Sequence, residues 1–151
     1  MSTHTSADLA SEPEGRWTLL YDTECGFCTW TVAAILACDR RGRLVPCALQ
    51  SARAEALLED LDAEQRLASV HLSGPDGERF SAGAALAEIV ALLPGGNLPA
   101  RALARRPRLT GFAYELVAGH RSQLSRALPA AIERAARARV KRAEGDAAVP
   151  G

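Results

Sequence analysis

The first apolar run in the chain, WTLLYD over Trp17–Asp22, is short, aromatic and aliphatic, and predicts a buried strand. From Thr29 onward Val32, Ile35 and Leu36 recur at helical spacing, so the chain passes from strand through a tight turn into a helix that Gly42 closes. RLVPCALQ then predicts a second strand, with Pro46 at a bulge or an edge position. Behind Ser51 as N-cap, ARAEALLEDL sets Leu57, Leu58 and Leu61 on one side of a second helix. ASVHLSGPDGERFS reads as two short strands around a Gly74-Pro75-Asp76-Gly77 turn, with His71 on the solvated side of its strand. AGAALAEIVALL predicts a further helix, stopped by Pro94-Gly95-Gly96. Helical runs near 98–105, 110–121 and 122–143 follow, interrupted by Pro107 and Pro129, with a frayed tail from Gly145.

This order, β-α-β-α-β-β-α followed by helices, is that of a thioredoxin-like α/β fold and is compatible with other α/β arrangements. A chain of 151 residues with 48% hydrophobic and 24% charged residues has enough material for one sizeable core. The expected division is a disordered leader over 1–15, a domain over 16–128, and a basic helical extension with a frayed tail over 129–151. The start has neither a basic n-region nor an apolar h-region, and no run approaches the roughly 18 apolar residues of a membrane helix. A soluble, cytoplasmic protein with no membrane partner is the expectation. There, four cysteines suit free, catalytic or metal-bound thiols better than a disulfide framework.

The zero net charge hides an asymmetry. Residues 1–99 carry 7 Arg against 14 Asp and Glu, whereas residues 100–142 carry 11 Arg and Lys against Glu115 and Glu133. The basic stretch lacks interleaved aromatics and any base-reading motif, so nucleic acid is not the expected partner. A solvated helical face is the plain alternative.

The chemistry concentrates at Cys25-Gly26-Phe27-Cys28, where strand gives way to helix. A thiol at the amino end of a helix meets unpaired N–H groups and the positive end of the macrodipole, which favour its thiolate. Cys28, one turn on, lies near the same face, so the two sulfurs can close a disulfide without large backbone movement. Cys25 is assigned attack and Cys28 resolution. Asp22 and Glu24 oppose the helix terminus by like-charge repulsion. Asp22 also stands where a general base for Cys28 would stand, with a turn-capping role as the plain alternative. Thr23 is an N-cap candidate, and Glu24 complements the helix dipole.

YDTECGFC resembles the motif of the DCC family of thiol-disulfide oxidoreductase-like proteins, an Asp-x-x-Cys-x-x-Cys pattern carried by Asp22, Cys25 and Cys28. The similarity extends through DRRGRLVPCALQS, SVHL with its DGERFS return, AALAEIVALL and YELVAGHR, covering roughly residues 17 to 128. It implies a thioredoxin-like mixed sheet flanked by helices, with additional C-terminal helices, and a redox dithiol. The expected partners are a disulfide-containing protein or small thiol substrate and a cellular reductant. Arg121 matches a recurrently basic position of the family. The chain departs from thioredoxins proper in having LASV where their cis-proline precedes the third strand, with Ser69 and Val70 there facing the cysteines by analogy of fold.

The reading is thus an enzyme, a dithiol oxidoreductase that needs no bound cofactor. Two alternatives of another class stand beside it. One is a non-catalytic binding module working through the basic C-terminal helices. The other is a zinc module adding Cys38 and Cys47 to the pair, against which the C-x2-C-x9-C-x8-C spacing counts because it lacks a second close pair. Burial as small hydrophobes is the plain expectation for Cys38 and Cys47. Phe27 and Trp30 form an apolar rim for a protein substrate, with core packing as the plain alternative for Trp30. His120 is expected to end a helix.

Overall fold

The computed structural model describes residues 15–148, so most of the leader expected over 1–15 and the last three residues of the expected tail lie outside the described residues. Four strands form one mixed sheet in the order β2-β1-β3-β4: β1 (Trp17–Tyr21), β2 (Leu44–Ala48), β3 (His71–Ser73) and β4 (Arg79–Ser81). β1 pairs parallel with β2 and antiparallel with β3, which pairs antiparallel with β4. The helices are α1 (Gly26–Cys38), α2 (Ala52–Leu57), α3 (Ala63–Ala68), α4 (Ala82–Leu92), α5 (Asn97–Arg105), α6 (Pro107–Gly119), α7 (Arg121–Ala127) and α8 (Ala130–Ala148). The architecture is α/β and thioredoxin-like, a mixed four-stranded sheet flanked by helices with additional helices toward the C-terminus.

β1 is apolar apart from the buried Thr18 because both of its faces are covered. Leu19 and Tyr21 point into the main core with Val32, Leu72, Ile89 and Val140, whereas Leu20 points the other way toward Ala54 and Leu58. Pro46 stands on β2, the edge strand, where a missing ladder N–H is tolerated. At the other edge the predicted Gly74–Gly77 turn is closed by a Gly77 N–H to Gly74 carbonyl bond of 3.2 Å, with Gly77 at φ +85°. α4 and α6 approach closely: a Cβ added at Gly83 would lie 3.3 Å from the Gly111 Cα.

Several expectations are corrected. The helix predicted over 52–61 ends at Leu57, and α3 follows it behind Asp62. There Asp62 accepts from the Gln65 N–H at 2.8 Å and Gln65 Oε1 accepts from the Asp62 N–H at 2.9 Å, a reciprocal capping box. His71 does not face solvent; it is 2% exposed. It pairs with Leu20 across the sheet and shares the face that α2 covers. Its Nε2 lies 3.0 Å from the Arg66 carbonyl, which can only accept, so Nε2 carries the proton and Nδ1 accepts from the Ser81 hydroxyl at 2.6 Å. Burial holds this imidazole below its ordinary pKa. Cys38, expected inside, is exposed, while Cys47 is buried and its thiol is pushed up by desolvation. α8 continues past Gly145 to Ala148 where a frayed tail was expected.

α8 crosses back over α1 and sets Ala136 and Val140 into the main core. Val140→Ala removes two carbons from that contact and lowers the unfolding free energy measured in urea by about 2 kcal/mol. Arg139→Ala, on the exposed side of the same helix, changes it by less than about 0.5 kcal/mol.

Candidate functional site

β1 delivers the chain to a turn at Asp22–Glu24, and α1 starts immediately behind Cys25. Cys25, not Thr23, is the N-cap residue. Its backbone is extended at φ −91° and ψ 108°, and its Sγ accepts the Cys28 N–H at 3.2 Å. A thiolate thus does what a serine or aspartate oxygen ordinarily does for a helix start. The Cys25 carbonyl accepts from the Thr29 N–H at 3.0 Å and from its hydroxyl at 3.1 Å, which holds the first turn.

α7 brings Ser125 against this turn from 100 positions away. Its Oγ accepts the Phe27 N–H at 3.0 Å and lies 3.7 Å from the Cys25 Sγ, so the hydroxyl proton is free to point at the sulfur. Together these groups lower the Cys25 pKa to about 6. The largest cause is the Cys28 thiol, which donates to the Cys25 sulfur. Desolvation opposes it, and the Cys28 N–H, the Ser125 hydroxyl and the positive charge of Arg121 add to it. Cys28 moves the other way: donating to Cys25, burial and the neighbouring negative charge all push its thiol up. The pair therefore keeps one proton on Cys28 and one charge on Cys25.

Asp22 lies close to this pair. Its Oδ1 accepts the Glu24 N–H at 3.0 Å and the Gln50 side-chain amide at 2.8 Å, while the Gln50 Oε1 accepts the Thr23 hydroxyl at 2.9 Å. Its charge is among the causes that raise Cys28. The rear of the turn is held by α8, whose Arg137 donates to the Thr23 carbonyl at 2.9 Å and to Glu133 at 2.7 Å.

A cavity of about 290 Å³ opens beside Cys28 between α1, α4, α6 and the residues preceding β3. Asp22, Phe27, Ser69, Val70, Tyr114 and Arg121 are part of its wall. Ser69 and Val70 thus share the cavity wall with Cys28, and the Val70 N–H is occupied by the Tyr114 hydroxyl oxygen at 2.8 Å. Phe27 stacks obliquely on Trp30 with ring centroids 5.9 Å apart; Phe27 faces the cavity and Trp30 is 39% exposed. His120 ends α6, and Arg121 begins α7 with a bond from its guanidinium to the Leu67 carbonyl at 2.9 Å. Glu24 is exposed and touches neither sulfur.

Neither Ser125 nor Tyr114 has a role legible in the sequence: Ser125 stands among other polar residues in RSQLSRA and Tyr114 opens the YELVAGHR block without a distinguishing spacing, and only tertiary contact brings them toward the cysteines. Among the described residues no three or more His, Cys, Asp and Glu side chains gather where they could hold a metal ion. No helix among them is long and apolar enough to cross a membrane.

A cysteine pair sharing one proton at the start of the first helix of a thioredoxin-like domain defines the class, a thiol-disulfide redox fold. The sequence model of the DCC1-like thiol-disulfide oxidoreductase family matches residues 19–127, and the chain belongs to that family. No curated protein and no solved structure matches the chain.

Ser125 acts on Cys25 through a long hydrogen bond worth roughly 0.7 kcal/mol, about threefold in the thiolate-to-thiol ratio and about half a pH unit in the titration. Alkylation of Cys25 by iodoacetamide, followed against pH, should rise through about 6 in the native protein. In Ser125→Ala the profile moves to higher pH, and Ser125→Thr restores it. An unmoved profile would leave Ser125 with a purely structural role.

Proposed function

We propose that the protein is a dithiol oxidoreductase in which Cys25 attacks, Cys28 resolves and Asp22 receives the resolving proton. The observation that carries this reading is the division of labour in the pair, with the charge on Cys25 and the proton on the more deeply buried Cys28. A pKa of about 6 leaves Cys25 ionised at neutral pH, and an ionised thiol is the nucleophile of exchange.

In the first step the Cys25 sulfur bonds to one sulfur of a substrate disulfide. The substrate S–S bond breaks, and the departing thiolate takes a proton from water. In the second step Cys28 releases its proton and attacks the Cys25 sulfur, displacing the other half of the substrate as a thiolate. Two electrons have then passed to the substrate, and the protein holds a Cys25–Cys28 disulfide. Asp22 suits the base role because it shares the cavity wall with Cys28. Both of its hydrogen bonds fall on Oδ1, which leaves Oδ2 for the proton. Reverse exchange with a cellular thiol reductant restores the dithiol, and no cofactor enters. The substrates are disulfide-containing proteins or small thiols in the cytoplasm; neither a membrane nor nucleic acid takes part.

Stabilising the Cys25 thiolate stabilises the reduced form, which draws the couple toward oxidising potentials. Thiols near pKa 7 and near 3.5 accompany potentials of about −270 and −120 mV in other dithiol proteins, so a value between these is expected here. Redox titration against glutathione, with the cysteines of each state identified by mass spectrometry, measures it. A potential below that interval, or a disulfide joining cysteines other than 25 and 28, contradicts the reading.

The steps separate by mutation in an assay of small-disulfide reduction. Cys25→Ser abolishes turnover, Cys28→Ser accumulates a mixed disulfide at Cys25, and Asp22→Asn slows resolution on the order of 100-fold while leaving the first step intact. Full activity in Cys25→Ser would end this proposal.

A further inference from the structure

The cavity beside Cys28 has the size and lining of a small-molecule site rather than of a peptide groove. Its volume is about 290 Å³, and most of its wall is aliphatic or aromatic, from Phe27 and Ile35 on α1 through Leu86 on α4 to Val117 on α6. A peptide laid against this wall would seek main-chain partners, yet the Val70 N–H is already occupied by the Tyr114 hydroxyl. Beside the small hydroxyls of Thr31 and Ser69, two larger polar groups face a ligand. The Tyr114 oxygen accepts from Val70 and keeps its own proton to donate. Arg121 gives one bond to the Leu67 carbonyl and forms no ion pair among the described residues. Asp22, the one carboxylate in the wall, is already engaged through Oδ1 by Glu24 and Gln50. The pocket therefore offers an apolar body-site, a cation with no ion-pair contact and a hydroxyl donor, all beside Cys28; the Cys25 thiolate that this cation faces in the reduced protein is gone once Cys25 and Cys28 are joined. Such a set is complementary to a molecule with an apolar chain and an anionic end.

We infer that this cavity is a substrate pocket for a small dithiol, or its disulfide, that has an apolar body and a carboxylate, with the carboxylate on Arg121 and the sulfurs at the Cys25–Cys28 pair. The inference rests on the exchange reading above. When such a dithiol reduces the oxidised protein, one of its thiolates attacks the Cys25 sulfur and the Cys25–Cys28 bond breaks. Cys28 leaves and takes up a proton. The second substrate thiolate then attacks the substrate sulfur bound to Cys25, releasing Cys25 as thiolate and the substrate as a cyclic disulfide. Two electrons move from the dithiol to the protein.

The test uses the full chain, oxidised, and four reductants: dihydrolipoate, its neutral amide dihydrolipoamide, the polar dithiol dithiothreitol, and reduced unfolded ribonuclease as a protein thiol. Alkylation quenching with mass readout gives each rate constant. Ala113→Trp puts an indole at the lip of the cavity from an exposed position on α6. It should slow both lipoyl compounds about tenfold relative to dithiothreitol. Val117→Phe, at a residue 45% exposed, repeats the measurement should the first variant fold poorly. Arg121→Gln should erase an approximately tenfold advantage of dihydrolipoate over dihydrolipoamide. That ratio cancels any change in Cys25 reactivity. Calorimetric binding of octanoate to Cys25→Ser, lost in Arg121→Gln, reads the pocket without redox chemistry.

Equal slowing of all four reductants, no slowing, or a ribonuclease rate that alone falls in Ala113→Trp would overturn the pocket. So would the absence of octanoate binding. A protein that binds octanoate yet exchanges with none of the four keeps the pocket and loses the dithiol chemistry, so the two failures are distinguishable.

Discussion

One N–H···S contact organises this molecule. The Cys28 amide points at the Cys25 sulfur across 3.2 Å, and this makes Cys25 the cap of its own helix. A helix start leaves backbone donors without partners, and a negative sulfur satisfies one of them while the macrodipole favours its charge. The same geometry places the Cys28 side chain one turn on, where its thiol proton reaches the Cys25 sulfur. Reactivity of one cysteine and protonation of the other are therefore two results of a single backbone conformation.

The remainder of the fold holds that conformation in place. α1 is fixed to the sheet by Val32 and Ala33 in the main core and is backed by α8 through Ala136 and Val140. α7 closes the front with Ser125, which bonds the first turn of α1 and approaches the sulfur. The basic character of the C-terminal third thus has a structural component: Arg137 ties the turn before Cys25 to α8, and Arg121 lends its charge to the cysteine pair. α6 serves the cavity with one side and meets α4 where Gly83, lacking a side chain, lies against the Gly111 backbone.

Elements whose causes are local could be read from the chain. Strand, turn and helix around Cys25 follow from a period change over a dozen residues, and the Gly74–Gly77 turn and the breaks at Pro107 and Pro129 follow from backbone chemistry. α3 is not legible in the sequence because it has only six residues, no apolar stripe, and a capping box that ordinary polar residues supply. His71 was misplaced because two-residue alternation predicts one wet face, whereas β3 lies inside the sheet with its Leu20 side roofed by α2.

The amino-acid order by itself determined the cysteine spacing, their place at a strand-to-helix junction and the α/β class, since each depends on neighbours within a turn or two of backbone. Tertiary structure alone decided which groups share the site. Ser125, Tyr114 and Arg121 lie roughly a hundred positions beyond Cys25 or Cys28, and their approach is an outcome of how α6, α7 and α8 pack over α1 and α4. The thiol's acidity belongs to the second category. Acidic neighbours in the chain argue for a higher pKa and the helix start for a lower one, and only the positions of the Cys28 proton, the Ser125 hydroxyl and the Arg121 charge settle the sign, because hydrogen bonding and Coulomb energy depend on distances in space.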